Sequence, residues 1–464
     1  MRIHTLSVIV AWQFSLVLMA QETTPVRPVS EPTAQNAAVK AAEPVTALRP
    51  ITPASARPED IKAATDAWLA TVPRAERVKS DAYFEGGYWL QLWDFLIGVV
   101  LAWLFLGTCL SSGMRNLAER LTRYRPIQSF VYFIAYTVLM TVITFPIAAY
   151  ETYFREAKYG LMNLTFGGWF KEFMIENVLG LVFGGIAVIV LFGIVRKLQR
   201  TWWIWGAIFT IAFTMCIALI APVYFAPLFN NYQKLEDPKL RDPILSLARA
   251  NGVPVKDVYW FDASKQSKRV SGNVSGFLGT ERISLNDNLL NRCTLDEVLT
   301  VMGHEIGHYA MNHVYKGLMF SGIIIVLFFA YLHRALDRSL SRWGPKWGIR
   351  GVGDVAIIPL VVLLASVFFF VLTPITNSYT RVQESEADMY GLNAARQPDA
   401  EAHVDLMLGE YRKLDPTPLE EFLFFDHPSG RNRIYMAMRW KAEHLNDCDF
   451  NPKDQRETKV PSTK

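Results

Sequence analysis

Residues 302–308 read Met-Gly-His-Glu-Ile-Gly-His, an HExxH arrangement. On a helix, positions four apart share one face, so His304 and His308 can hold a single zinc ion between them. Glu305, next to that face, can act as general base toward a water at the ion. The chain has 464 residues and 8 His, so two of them in this register around a Glu is a rare coincidence. A catalytic zinc site needs a third protein ligand and keeps one position open. The extended pattern that ends in a third His fails: position 314 is Val314, and the intervening Gly position is Met311. His313 falls off that pattern and is expected outside the ligand set. The C-terminal part offers Glu384-Ser385-Glu386-Ala387-Asp388. Glu384 and Asp388 share a helical face: the first can complete the ligand set, and the second can accept a hydrogen bond from a ligand imidazole. Glu386 points elsewhere. Such an acidic cluster standing alone is a solvated helix face; beside HExxH it becomes a ligand candidate. Asp426-His427-Pro428-Ser429-Gly430-Arg431-Asn432-Arg433 brings an imidazole and guanidinium groups together, and these can hold an oxyanion.

The surrounding elements must position these groups. Thr294-Leu295-Asp296-Glu297 is a capping box that starts the HExxH helix, and Val298, Leu299, Val301 and Met302 give it apolar residues. Six stretches are nearly free of charge: 89–110, 127–149, 177–195, 203–229, 318–332 (extendable back through Val314) and 355–379. A bilayer core needs about 20 apolar residues as a helix, and six such runs exclude a set of buried soluble helices. Apolar residues make up 51% of the chain and charged ones 19%, which excludes a disordered protein; the net charge of +4 is too weak for a nucleic-acid partner. The four scattered cysteines form no CxxC pair, so neither a disulfide framework nor a cysteine zinc site is expected. Arg2, His4 and the apolar run Leu6–Ala20 read either as a signal peptide or as an uncleaved first span. Residues 21–60 form a Pro- and Ala-rich spacer that cannot bury a core. The expected organisation is a leader or first helix at 1–20, the spacer at 21–60 and a four-helix membrane domain at 61–229. A soluble segment with the HExxH helix follows at 230–316, then two membrane helices at 317–380 and a second soluble segment with the third ligand at 381–464.

Loop charges give an orientation. Segment 111–126 holds Arg115, Arg120, Arg123 and Arg125 against Glu119; the next basic turn has Arg196, Lys197 and Arg200. Segment 334–350 holds Arg334, Arg338, Arg342, Lys346 and Arg350 against Asp337. Positive loops stay cytoplasmic, and six alternating spans put all three on one side. The HExxH segment and the C-terminal tail then face outward, and a cleaved signal would export the same side.

HEIGH followed by His313, the ESEAD segment and HPSxxxR resemble the type-I CAAX prenyl endopeptidases, integral-membrane zinc metallopeptidases, in a bacterial-type form. The resemblance spans 85–440 and includes Tyr159-Gly160-Leu161 with Thr165, Leu235-Glu236-Asp237, Asp262-Ala263-Ser264-Lys265 and Arg282-Ile283. It implies that His304, His308 and Glu384 bind one Zn2+ and that Glu305 is the base. It further implies that Asp388 supports the site and that His427 and Arg433 stabilise the transition state. A chamber within seven spans and a substrate aligned along an edge strand near Asn273 are implied as well. The expected fold is an α-helical polytopic membrane protein, six or seven helices around a chamber, with a small α+β zincin-like domain.

The expected function is a zinc metalloendopeptidase that cleaves membrane or envelope proteins. Its partners are a peptide or protein substrate and the lipid bilayer, and its place is a bacterial inner membrane with the site on the periplasmic side. Two alternatives stand: a CAAX-type tail-processing protease facing the cytoplasm, and a transporter or channel with a structural metal site. The spans supply few charges and no repeats to support the latter.

Overall fold

The computed structural model describes residues 60–275 and 281–445. The leader, nearly all of the spacer and Cys448 lie outside them. The chain begins with α1 (Ile61–Ala70), followed by α2 (Arg74–Gly107), α3 (Leu110–Leu121), α4 (Arg125–Ala149), α5 (Phe166–Lys197) and α6 (Trp202–Tyr224). A π-helical turn at Tyr150–Phe154 carries α4 on to Tyr159. Strand β1 (Tyr232–Lys234) precedes α7 (Pro238–Ala250), and β2 (Val258–Phe261), β3 (Gly272–Ser275) and β4 (Arg282–Asn286) lead into the short α8 (Asp287–Arg292). Then come α9 (Leu295–Ala310), α10 (His313–Trp343), α11 (Ile358–Ala395), α12 (Pro398–Leu408), α13 (Pro418–Phe424) and α14 (Gly430–Glu443).

Six helices among the described residues are long and apolar enough to cross a bilayer: α2, α4 with its extension, α5, α6, α10 and α11 with its preceding turn. Each of the six charge-poor stretches overlaps one of them; 89–110 runs past the end of α2 and 203–229 past the end of α6. Phe105, Tyr136, Phe328, Phe329 and Phe369 form a buried core between them. Trp103, Val142, Met319 and Val371 point outward, as a lipid-facing surface demands. At one end the three basic loops meet. Arg115 pairs with Asp354 and donates to the Gly348 carbonyl at 2.9 Å. Arg350 pairs with Glu119 at 2.6 Å, and Arg196 donates to the Gly353 carbonyl at 2.9 Å.

The other end carries a small sheet in the order β1-β2-β4-β3. β2 and β4 are parallel, and the outer pairs are antiparallel. Ile283 and Leu285 of β4 pack with Val298, Met302 and Ile306 of α9 in a second core. A third core docks α1 onto the C-terminal helix: Ile61, Trp68 and Leu69 meet Ile434, Met438 and Trp440. α11 runs unbroken from the membrane core through the ESEAD segment to Ala395, so its last turns belong to both.

Candidate metal centre

The capping box forms as expected. Thr294 Oγ1 accepts from the Glu297 amide, and the Glu297 carboxylate accepts from the Thr294 amide at 2.7 Å. It fixes the start of α9, whose apolar face is spent on the sheet. The opposite face meets α11 through bare backbone: a Cβ at Gly391 would stand 2.8 Å from the His304 nitrogen, and one at Gly307 would stand 3.1 Å from the Ala387 carbonyl oxygen. This approach brings Glu384 and Asp388 beside the two histidines.

His304, His308 and Glu384 come together as one group of potential metal ligands. His304 Nε2 lies 3.0 Å from His308 Nε2 and 3.3 Å from Glu384 Oε2; His308 Nε2 lies 3.6 Å from Glu384 Oε1. Tetrahedral zinc with bonds of about 2.0–2.1 Å separates its ligand atoms by about 3.4 Å. The donor set of two imidazoles and one carboxylate therefore fits that ion in chemistry and spacing. Glu305, buried on α9 between the two histidines, sits beside the cluster.

The outer contacts fix the ligands. His304 Nδ1 is 2.7 Å from Asp388 Oδ1. Burial opposes charge on His304, but its bonds to Asp388 and Glu384 outweigh it and hold its pKa well above the ordinary value. This corner thus favours a positive charge, as a metal cation requires. His427, in the loop before α14, turns Nε2 to within 3.3 Å of Glu384 Oε2 and holds Nδ1 2.8 Å from Asp426 Oδ1.

Arg433 requires a correction. Its Nε and Nη2 donate to Asp388 at 2.9 and 2.6 Å, Nη1 lies 3.0 Å from Asp405, and Nη2 reaches Glu401 at 3.4 Å. The guanidinium is buried behind Asp388 with three carboxylates around it, so it braces Asp388 rather than standing exposed to an oxyanion. Burial raises Glu401 to about 7 against the pull of Arg433, and raises Asp405 as well.

Asn273 lies on β3, the end strand of the sheet among the described residues. It pairs with Ser284, and its Oδ1 is buried without a hydrogen-bond partner. The Asn286 amide donates to the Ser271 carbonyl at 2.9 Å. Antiparallel pairs alternate between bonded and non-bonded, so Asn273 bonds inward to β4, and the backbone groups of Gly272 and Val274 face the open edge.

Sequence reasoning set aside His313 and Glu386, which the fold joins to His308. His313 Nδ1 lies 2.8 Å from His308 Nδ1. It also missed Glu401 and Asp405, which no local spacing links to Arg433.

Two family descriptions match this chain in tandem. "CAAX prenyl protease N-terminal, five membrane helices" matches residues 62–231, and "Peptidase family M48" matches residues 234–441. The uncharacterized metalloprotease YhfN of Bacillus subtilis is 29% identical over 349 residues, covering 74% of this chain and 82% of the relative. CAAX prenyl protease 1 of Saccharomyces cerevisiae is 26% identical over 311 residues, covering 64% and 69%. The crystal structure of S. mikatae Ste24p shares the fold with a TM-score of 0.68 at 21% identity, covering 84% of this chain and all of that one. The two matches lie end to end over the membrane helices and the ligand cluster, and the chain is an integral-membrane metalloendopeptidase, similar to peptidase family M48 and to the CAAX prenyl proteases.

Proposed function

We propose that this peptidase is a zinc enzyme that works on peptide segments of membrane or envelope proteins from the exported side, the periplasmic face of a bacterial inner membrane. His304, His308 and Glu384 would hold the ion, from segments 230–316 and 381–464 joined through the membrane helices of 317–380. Bound there, zinc polarises a carbonyl and makes water a nucleophile near neutral pH. Glu305 takes the proton of the attacking water and passes it to the leaving amine. His427, in its imidazolium form with Nδ1 donating to Asp426, donates from Nε2 to the oxygen on which charge develops. Asp388, braced by Arg433, holds His304 in the tautomer that leaves Nε2 free. The peptide adds as a strand to β3, bonding to Gly272 and Val274, and Asn273 Oδ1 accepts from its backbone. Backbone pairing of this kind reads little side-chain identity, which suits many substrates.

The observation that carries the orientation is the meeting of the basic loops. α10 starts at the ligand cluster and ends after 31 residues at Trp343, a rise of about 46 Å. The Arg115–Asp354 and Arg350–Glu119 contacts gather the positive loops at the end remote from the metal ligands, which supports reading that end as the cytoplasmic one.

Two fusions after Lys464 test this: a phosphatase active only when exported, and a fluorescent protein that matures only in the cytoplasm. Phosphatase activity is expected. A fluorescent fusion in its place would turn the site to the cytosol and favour tail processing there.

A further inference from the structure

His308 turns Nε2 to the ligand cluster. A nitrogen that binds a metal carries no proton, so neutral His308 carries its proton on Nδ1. That Nδ1 faces His313 Nδ1 at 2.8 Å, and one proton serves the pair, so His313 Nδ1 is the acceptor. The proton of neutral His313 then sits on Nε2, 3.0 Å from Glu386 Oε2. Lys316 Nζ donates to the same oxygen at 3.2 Å. His313 is 4% exposed, whereas the Glu386 side chain is 37% exposed. Backbone geometry permits the arrangement: Asn312 adopts the left-handed region (φ 57), a conformation Asn tolerates, and this sets the first residue of α10 back against α9.

We propose that His313 is the positioning residue of the second metal-binding imidazole, and that Glu386 fixes its tautomer. The inference rests on reading His304, His308 and Glu384 as a zinc site. The two ligands are then anchored unequally. His304 donates straight to a carboxylate clamped by buried Arg433. His308 donates to a neutral ring, and the carboxylate behind that ring reaches solvent. Glu386 lies two residues from Glu384 and from Asp388, on the same helix, so one segment supplies a ligand and the outer anchors of both histidines.

The test is zinc affinity of the purified full-length protein in detergent, measured at fixed pH by competition with a chromophoric chelator. His313→Leu fills the space without an acceptor and is expected to bind zinc 10–100-fold more weakly, the usual loss for a ligand's outer partner. His313→Asn restores an acceptor oxygen and recovers most of that loss. Glu386→Leu, at a partly exposed position, weakens zinc about tenfold with an unchanged melting temperature of the metal-free protein, and it reads the relay even if His313→Leu fails to fold. Wild-type affinity in Glu386→Leu and His313→Leu, or equal losses in the Leu and Asn variants, would overturn the relay. A wild-type protein that takes up no stoichiometric zinc would instead overturn the zinc site itself.

Discussion

Gly391→Ala tests how the site is assembled. The added Cβ would lie 2.8 Å from the His304 nitrogen and 3.2 Å from both the Gly303 carbonyl carbon and His304 Cα. All three are backbone atoms, so no rotamer change relieves the clash. Ordinary contact begins at about 3.5 Å, so α9 and α11 must part by roughly 0.7 Å. Overpacking of this kind costs about 1–3 kcal/mol, and the better helix propensity of Ala returns at most about 1 kcal/mol. The larger effect falls on the site. Adding the same displacement to the 2.7 Å His304–Asp388 bond takes it to about 3.4 Å, past the normal range. Glu384 moves with Asp388. Zinc affinity should fall 10–100-fold, and kcat/KM on a quenched fluorescent peptide by about 10²-fold. Gly193→Ala is the control: its Cβ meets nothing within 4 Å on exposed α5, so neither quantity should change. If Gly391→Ala bound zinc and cleaved peptide like wild type, close backbone contact would not be what holds Glu384 in place.

Other outcomes follow from the same geometry. Glu305→Gln should keep its zinc, by metal analysis, while kcat/KM drops 10²–10⁴-fold; parallel loss of zinc would refute its role as base. His427→Ala should also retain zinc and lose about 10²–10³-fold in kcat, whereas a change confined to KM would place His427 in substrate binding. Glu401 has a folded pKa of about 7, above its ordinary 4.5. A raised carboxyl stabilises the fold fully below the ordinary value, and that contribution is lost as pH rises through about 7, in all about 3 kcal/mol. Glu401→Gln should therefore flatten the fall in melting temperature between pH 4.5 and 7; equal slopes in both proteins would refute the assignment.

The local devices were legible in the sequence because each is written within one helical turn or one apolar run. HExxH, the i,i+4 relation of Glu384 to Asp388, the Thr294 capping box and the spans belong to this class. The reading stopped the last span at Tyr379 because charged residues begin at Arg381. Charge ends a membrane run but not a helix, and α11 continues to Ala395. The tertiary devices could not be read. Gly303, Gly307 and Gly391 acquire meaning only once α9 is known to lie on α11. His313 was set aside because the pattern asked for a direct ligand, and an outer partner has no fixed spacing. Arg433 was assigned to the oxyanion because charge type alone cannot tell a group that faces substrate from one buried behind a ligand.

The proposed ligands sit at the open ends of a helical hairpin. α9 passes directly into α10, and α11 returns with Glu384, so two of the three come just before the hairpin and the third on its last leg. At the closed end the Arg115–Asp354 pair is buried and ties α3 to the turn that precedes α11. Near the open end Phe320 of α10 stacks on Tyr379 of α11, with ring centroids 3.9 Å apart. The glycine contact between α9 and α11 comes next, and the ligands lie beside it. A metal cation bridging His304, His308 and Glu384 therefore links segments already held at several heights, and little backbone entropy is left to lose when it binds. The membrane helices thus do more than anchor a soluble protease: they set the distance between the parts of its active site.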